Sequence, residues 1–446
     1  MAESNALFDA ARLGEHAETA LAAARRLGAS AAEVMAAVDD GLEVTVRLGE
    51  VETVERRRDR SFAVTLYFGK RKGSAATSDF APGAIEETVA SAADIARYTA
   101  EDPAAGLAPA ERMAQVFPDL DLCHPWALGP DAAIETATVC EAAARDADPR
   151  ISNSEGATVD TGHGLAVYAN THGFLGVSEG THHGISCAVV AGNGGGMERD
   201  YWYTSARAPT DLGDAGAVGR EAARRALARL GAHPLATRKA RVLFAPELAR
   251  GLIGHLLGAI AGGAQYRRAS FLLDAAGSRV VPEWMTLTEA PQLLRGAGSR
   301  VFDAEGVATV ERRIVERGVL TGYLLGSYSA RRLGLETTGN AGGISNLIVE
   351  PGGEQSDDPL AALGTGFYVT ELIGQGVNPV TGDYSRGAAG FWVERGKISH
   401  PVHEVTIAGN LKDMLAGILT AGADVDTRGA IRSGSILVNE MTLAGE

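Results

Sequence analysis

The chain has 446 residues, 45% of them hydrophobic and 22% charged, with 41 Lys and Arg against 56 Asp and Glu for a formal charge of −15. This composition excludes a disordered chain, and the net negative field argues against nucleic acid or an anionic membrane as partner. Three cysteines, Cys123, Cys140 and Cys187, are too few and too scattered for a disulfide framework or a cysteine-rich zinc module. The longest apolar stretch, Gly251 to Ala264, is too short to cross a bilayer, and MAESNALFDAARLGEH lacks the order of a secretory signal, so the expected location is cytoplasmic.

In chain order, His16 to Leu27 repeats apolar residues at spacings of three and four and stops before Gly28, which predicts a helix. β-like runs follow at Ala32–Val38, Leu42–Arg47 and Phe62–Phe68, then a second helix from about Ala84 to Tyr98. The same order recurs: Asp131–Asp146 reads as a helix, Ile151–Tyr203 as several strands and Asp214–Leu230 as an amphipathic helix. The main boundary is expected near residue 235, dividing an N-terminal domain (1–235) from a C-terminal β-rich domain (236–446). In the second domain Lys239–Phe244 reads as a strand that leads through Pro246 into a glycine-rich helix, 246–262. Arg317-Gly318 and Arg395-Gly396 each sit in an E-R-G string between apolar alternating runs, as in a short hairpin with Gly at positive φ. A helix over Asn410–Ala421 and a strand over Ser433–Leu443 complete the pattern. The expected fold class is α+β: an N-terminal α/β part with a duplicated α-β-β-β-α unit, then a mostly antiparallel curved sheet or barrel-like β domain.

Several motifs fail on their surroundings. Gly176-Val177-Ser178-Glu179-Gly180 matches the nucleophile elbow, but the following residues alternate like a strand and offer no strand–turn–helix junction. Gly396-Lys397 is followed by Ile398 rather than Ser or Thr, and Gly192-Asn193-Gly194 lacks a third glycine at the right spacing, so neither is a phosphate loop. The basic run Arg56-Arg57-Arg58-Asp59-Arg60 reads as a solvated hairpin balanced by Glu50, Glu52 and Glu55. In a strand His182 and His183 point to opposite faces, as do His400 and His403 unless a bulge intervenes. No H-E-x-x-H or H-E-x-x-x-H string occurs, so no metal site is expected in this chain.

The helix over Glu247–Gly262 is the most informative segment. Gly251, Gly254, Gly258 and Gly262 share one stripe, and each interior glycine costs roughly 1 kcal/mol against alanine. Another backbone packed against that stripe is the simplest compensation. His255 reads as a buried, hydrogen-bonded histidine.

With this helix the chain resembles the TldD/PmbA family, specifically its PmbA (TldE) branch, once called a modulator of DNA gyrase. The strings that carry the resemblance are LFAPELARGLIGHLLGAIAGGAQYRRASFL (243–272), SYSARRLGLETTGNAGGISNL (327–347) and FYVTELIGQGVNPVTGDYSRGAAGFWVERGKISHPVHEVTIAGNLKDM (367–414). In that family the TldD-type subunit is the metalloprotease. Its helix bears H-E-x-x-x-H, with two zinc-binding histidines and a glutamate base, and a later cysteine adds a ligand. The resemblance puts Gly254 and Ala259 where the histidines stand and His255 where the glutamate stands, and no cysteine follows Cys187.

What the resemblance implies is therefore a non-catalytic subunit with no cofactor of its own, paired with a zinc-bearing TldD-like partner. The complex would cleave unfolded or extended peptides, such as leader peptides and small antitoxins. Gly374, Gln375, Asn378, Asp383, Tyr384 and Ser385 are candidates to line its peptide channel or contact the partner, and a homodimer is conceivable when the partner is absent. The alternatives are a self-sufficient metal-dependent hydrolase built on His182, His183, His400 or His403, and a non-proteolytic regulator of gyrase.

Overall fold

The structure, a computed structural model, describes residues 8–194 and 196–445; the first seven residues, part of the stretch read for a secretory signal, lie outside it, as do Gly195 and Glu446. The N-terminal half runs α1 (Ala10–Arg26), β1 (Ala31–Arg47), β2 (Glu50–Phe68), β3 (Arg71–Thr77), α2 (Pro82–Tyr98), α3 (Pro130–Arg145), β4 (Ile151–Asn170), β5 (Leu175–Ala191), β6 (Glu198–Ala206) and α4 (Ala215–Ala228). The α-β-β-β-α unit is thus present twice. Its six strands form one antiparallel sheet in the order β3-β2-β1-β4-β5-β6, so the two units meet back to back through β1 and β4.

The runs Ala32–Val38 and Leu42–Arg47 belong to a single strand. Asp39-Asp40-Gly41 interrupts the apolar alternation but not the ladder, with Asp40 opposite His163 and Gly41 opposite Gly162. Arg56 and Arg58 on β2 hold Asp40 at 2.9 and 3.0 Å, so the acidic pair has no need to loop out. The basic run therefore balances β1 as well as its own strand, where Arg57 pairs with Glu55.

Helices cover one face of this sheet in two patches. One packs α1 and α2 on Val34, Ala36, Val38, Leu165 and Val167; the other packs α3 and α4 on Val44, Val46, Val159 and Val189. Residue parity puts Asp40, Thr161 and His163 on the same face, in the gap between the patches. A cavity of about 290 Å³ lies there, lined also by Phe8 and Trp126. Where α4 crosses α3, a Cβ on Gly219 would stand 2.0 Å from the Cys140 carbonyl oxygen, so only glycine permits that approach.

The C-terminal half continues with β7 (Arg238–Phe244), α5 (Pro246–Ala259), α6 (Gly262–Tyr266), β8 (Leu287–Glu289), β9 (Arg312–Glu316), β10 (Val319–Leu320), α7 (Ser327–Leu333), β11 (Leu347–Val349), β12 (Gly352–Gly353) and α8 (Pro359–Leu363). It ends with β13 (Gly366–Ile373), β14 (Asp383–Glu394), β15 (Lys397–Asn410), α9 (Leu411–Ala416), β16 (Ile418–Ala421), β17 (Ile431–Arg432) and β18 (Ile436–Ala444). β18 pairs with both β15 and β7, and β7 pairs with β13, so β7, β13, β14, β15 and β18 close into a five-stranded barrel. Within it β7 and β13 run parallel and the other pairs antiparallel. A smaller sheet, β10-β9-β8-β11-β17, lies beside it in sequence.

Both E-R-G strings are two-residue hairpins. Arg317 and Gly318 have φ 47 and 81, and Arg395 and Gly396 have φ 51 and 73. Two consecutive positive φ values make the twist-compatible type I′ turn, so the arginine as well as the glycine is left-handed. The helix expected over Asn410–Ala421 ends at Ala416. Ile418 and Thr420 pair instead with Val438 and Leu437 of β18, a tertiary pairing that overrides the helical pattern.

Buried ion pairs fasten the two halves. Arg225 of α4 reaches Asp200 of β6 at 3.2 Å and Glu247 in the first turn of α5 at 2.8 Å. Arg229 continues the network to Glu198 and, in β13, Glu371. The three side chains around Arg225 are 6–13% exposed. Arg225→Met would leave the buried Glu247 carboxylate without its partner, while Asp200 keeps Arg229 at 3.7 Å, and breaking such a buried pair costs about 3–5 kcal/mol. The expected outcome is a loss of that size in denaturant unfolding; a loss below about 1 kcal/mol would mean the pair behaves as a surface contact.

Candidate functional site

α5 starts with Pro246 in its first turn, where a missing N–H is harmless, and Glu247 places a carboxylate at the positive end of the helix dipole. Leu252, Ile253, Leu256 and Leu257 are buried in a core shared with Phe244, Phe367 and Val405 of the barrel. This is the apolar face that the sequence spacing requires. The glycine face behaves otherwise. A Cβ on Gly251, Gly254 or Gly258 would meet nothing within 4 Å, so among the described residues no backbone packs there. Gly262 alone of the four is confined, its Cβ position lying 2.3 Å from Ser329 Oγ. The expectation of a compensating neighbour is therefore unmet along the helix itself, and its glycine face stands open. Beyond its C-terminal end lies a cleft of about 500 Å³, lined by Gly258, Gly263, Tyr266, Glu305, Tyr328 and Gly343.

His255 is half-buried and lies edge-on to Tyr384, with ring centres 6.0 Å apart. Burial, reinforced by the Arg386 guanidinium, lowers its pKa below the ordinary 6.5, so the ring is neutral at pH 7. Zinc needs three protein ligands in a catalytic site. Around Gly254, His255 and Ala259 there is one imidazole, a buried alanine methyl and a positive neighbour, so these residues do not fit a zinc ion.

The six candidate channel residues occupy the β13–β14 connection and the start of β14. Gly374, Gln375 and Ser385 are exposed. Asn378 Oδ1 accepts from Val380 N at 2.9 Å and Asp383 Oδ2 from Thr381 Oγ1 at 2.6 Å, so both side chains serve the turn itself. Tyr384 departs from the expectation. It is 3% exposed and packs in the barrel core, because its alternation along β14 turns it inward.

The histidines singled out by sequence do not converge. His182 contacts Asp160 at 3.4 Å on the exposed side, while His183 is fully buried between Thr161 Oγ1 and the His124 carbonyl. A bulge does occur beside His403, where Glu404 has φ 50, yet His400 stacks on His233 and His403 faces Glu198. Gly176–Gly180 lies inside β5, without a nucleophile elbow. Sequence reading passed over Cys123, His163 and Glu179, whose ligand atoms lie within 4.8 Å of one another. Their separations along the chain form no motif, so only strand register could have found them.

Three family models match the chain: PmbA/TldA metallopeptidase domain 1 over residues 32–96, the central domain over 123–230 and the C-terminal domain over 237–445. The chain belongs to the PmbA/TldD family. It is 51% identical to metalloprotease PmbA of Escherichia coli O157:H7 over 93% of this chain and 92% of that one. Similarity to the metalloprotease PmbA homolog of Haemophilus influenzae is 45% over 95% of this chain and 94% of the relative. The TldD homolog of H. influenzae matches more weakly, at 25% over 35% of this chain and 34% of its own length. Among solved structures, a protein from Bacteroides thetaiotaomicron described as a modulator of DNA gyrase superposes with TM-score 0.91, at 29% identity, covering 97% of this chain and 99% of that one. TldE from Thermococcus kodakarensis shares the fold, with TM-score 0.83 at 21% identity, over 96% of this chain and 100% of that one. Among the described residues no helix is long and apolar enough to cross a membrane.

The PmbA/TldD helix α5 also carries a pH dependence. A histidine with lowered native pKa takes its proton more readily in the unfolded chain, so stability is full above about 6.5 and declines as pH falls below it. His255→Gln should remove that contribution. Its thermal midpoint is expected to fall less than the parent's between about pH 7 and pH 5; parallel curves would show that His255 titrates alike in both states.

Proposed function

We propose that this chain is the PmbA/TldE-type, non-catalytic subunit of a cytoplasmic two-component metallopeptidase, in which a TldD-like partner carries the zinc and the general base. The observation that carries this reading is α5: it keeps the family's helix but offers one neutral imidazole beside Arg386 and an open glycine face. Loss of the donor set argues against hydrolysis at α5. The open face suits close approach of a partner backbone, which glycine permits and larger residues obstruct. Extended peptides, such as leader peptides and small antitoxins, would be admitted to an enclosed channel from which folded proteins are sterically barred. Gln375 and Ser385 are the polar groups of the β13–β14 region most free to meet such a peptide.

The decisive experiment is reconstitution. The chain alone is expected not to cleave an unstructured peptide, and a zinc-loaded TldD-like subunit is expected to need this chain for full activity. Equal cleavage by the partner alone would overturn the subunit reading. Gly254→Ala gives a second, independent readout. In the isolated chain it should raise stability by up to about 1 kcal/mol, because the site is helical and open. Association with the partner, followed by analytical ultracentrifugation, should weaken at least tenfold. Unchanged association would place the junction elsewhere.

A further inference from the structure

The gap between the two helix-covered patches of the N-terminal sheet holds a cluster that the reading above does not use. His163 of β4 pairs with Thr181 of β5, and Leu165 with Glu179, so His163 and Glu179 share one face two positions apart. Cys123 is brought over them by the segment beside β5. There the Leu122 carbonyl accepts from Thr181 N at 2.9 Å, and His124 N donates to Thr181 Oγ1 at 2.9 Å. Cys123 Sγ lies 3.5 Å from His163 Nε2, and Glu179 Oε1 lies 2.8 Å from the same nitrogen. Phe8 stacks on the His163 ring at 3.7 Å and holds its plane.

This geometry separates two chemistries. In a cysteine–histidine–acid relay the thiol and the carboxylate engage opposite ring nitrogens, so that a proton passes through the ring. Here both face Nε2, which offers one proton or one lone pair and cannot serve both. A cation, by contrast, takes one lone pair from each of the three groups. Tetrahedral zinc, with Zn–S of about 2.3 Å and Zn–N of about 2.0 Å, holds sulfur and nitrogen about 3.5 Å apart. That is the observed sulfur–nitrogen separation. Glu179, whose side chain is 42% exposed, has room to swing outward by the few tenths of an ångström that an intervening ion requires.

We propose that Cys123, His163 and Glu179 form a zinc site in the N-terminal sheet, separate from the helix on which the family's catalytic subunit carries its metal. A thiolate, an imidazole and a carboxylate are a zinc-type donor set. Water would take the fourth position, as in zinc sites with three protein ligands. Binding releases the thiol proton as the Zn–S bond forms, so it tightens as pH rises, by roughly tenfold per unit for one proton released. The site does not depend on any partner at α5.

The test is titration of the full-length, chelator-stripped chain with Co²⁺, followed by displacement with Zn²⁺. One cobalt per chain is expected, with a thiolate-to-cobalt charge-transfer band and tetrahedral visible bands that zinc abolishes. Cys123→Ser should lose the charge-transfer band and His163→Gln should weaken binding at least tenfold, whereas Cys140→Ser should change neither. If the first two variants do not fold, the parent chain gives the answer: saturating zinc should slow alkylation of Cys123, mapped by mass spectrometry, at least tenfold. Absence of the charge-transfer band in the parent, or alkylation of Cys123 that zinc does not slow, would overturn the site.

Discussion

The pairing of β1 with β4 is the constraint on which the N-terminal half depends. It joins two three-stranded units into one sheet and runs without a break through Asp39-Asp40-Gly41 on one strand and Gly162-His163-Gly164 on the other. Those residues are polar or small, yet the ladder holds because Arg56 and Arg58 neutralise Asp40, while Gly162 and Gly164 leave room for the His182 ring and the Asp39 carboxylate. With the junction continuous, the helix pairs sit on either side of it, and neither covers the middle. The uncovered middle is where His163 stands. The meeting of Cys123, His163 and Glu179 at a duplication boundary thus follows from strand pairing rather than from any local motif.

The C-terminal half solves a different problem. A five-stranded barrel has little interior, and β7 completes it by pairing on one side with β13 and on the other with β18. Leu252, Ile253, Leu256 and Leu257 of α5 join the core that results, which commits one helix face to the barrel and presents the other outward. Three of the four glycines on that outer face have no neighbour among the described residues. Helix propensity alone disfavours them, and burial of the leucine face is what holds the helix together. The ion network through Arg225 and Glu247 then fixes where α5 begins relative to the N-terminal sheet.

Much of the fold was legible because periodicity and turn chemistry are local. The helices ending near Leu27 and Tyr98, the duplicated unit and the two E-R-G hairpins all rest on residues within a few positions of each other. Misreadings arose where distant residues decided the outcome. Val438 and Leu437 drew Ile418 and Thr420 out of a helical pattern into β16. Tyr384, placed on a channel wall by its neighbours in sequence, turned into the core because strand alternation sent it towards His255.

By itself the sequence determined the family, since it is written in long contiguous strings, and the same contiguous reading shows that no H-E-x-x-x-H string occurs in the chain. Only the tertiary structure decided that the glycine face is open, because openness depends on what does not pack there. It alone also brought Cys123, His163 and Glu179 together. Those residues are separated by 40 and 16 positions in the chain, and the register of β4 against β5 sets the distance between their donor atoms.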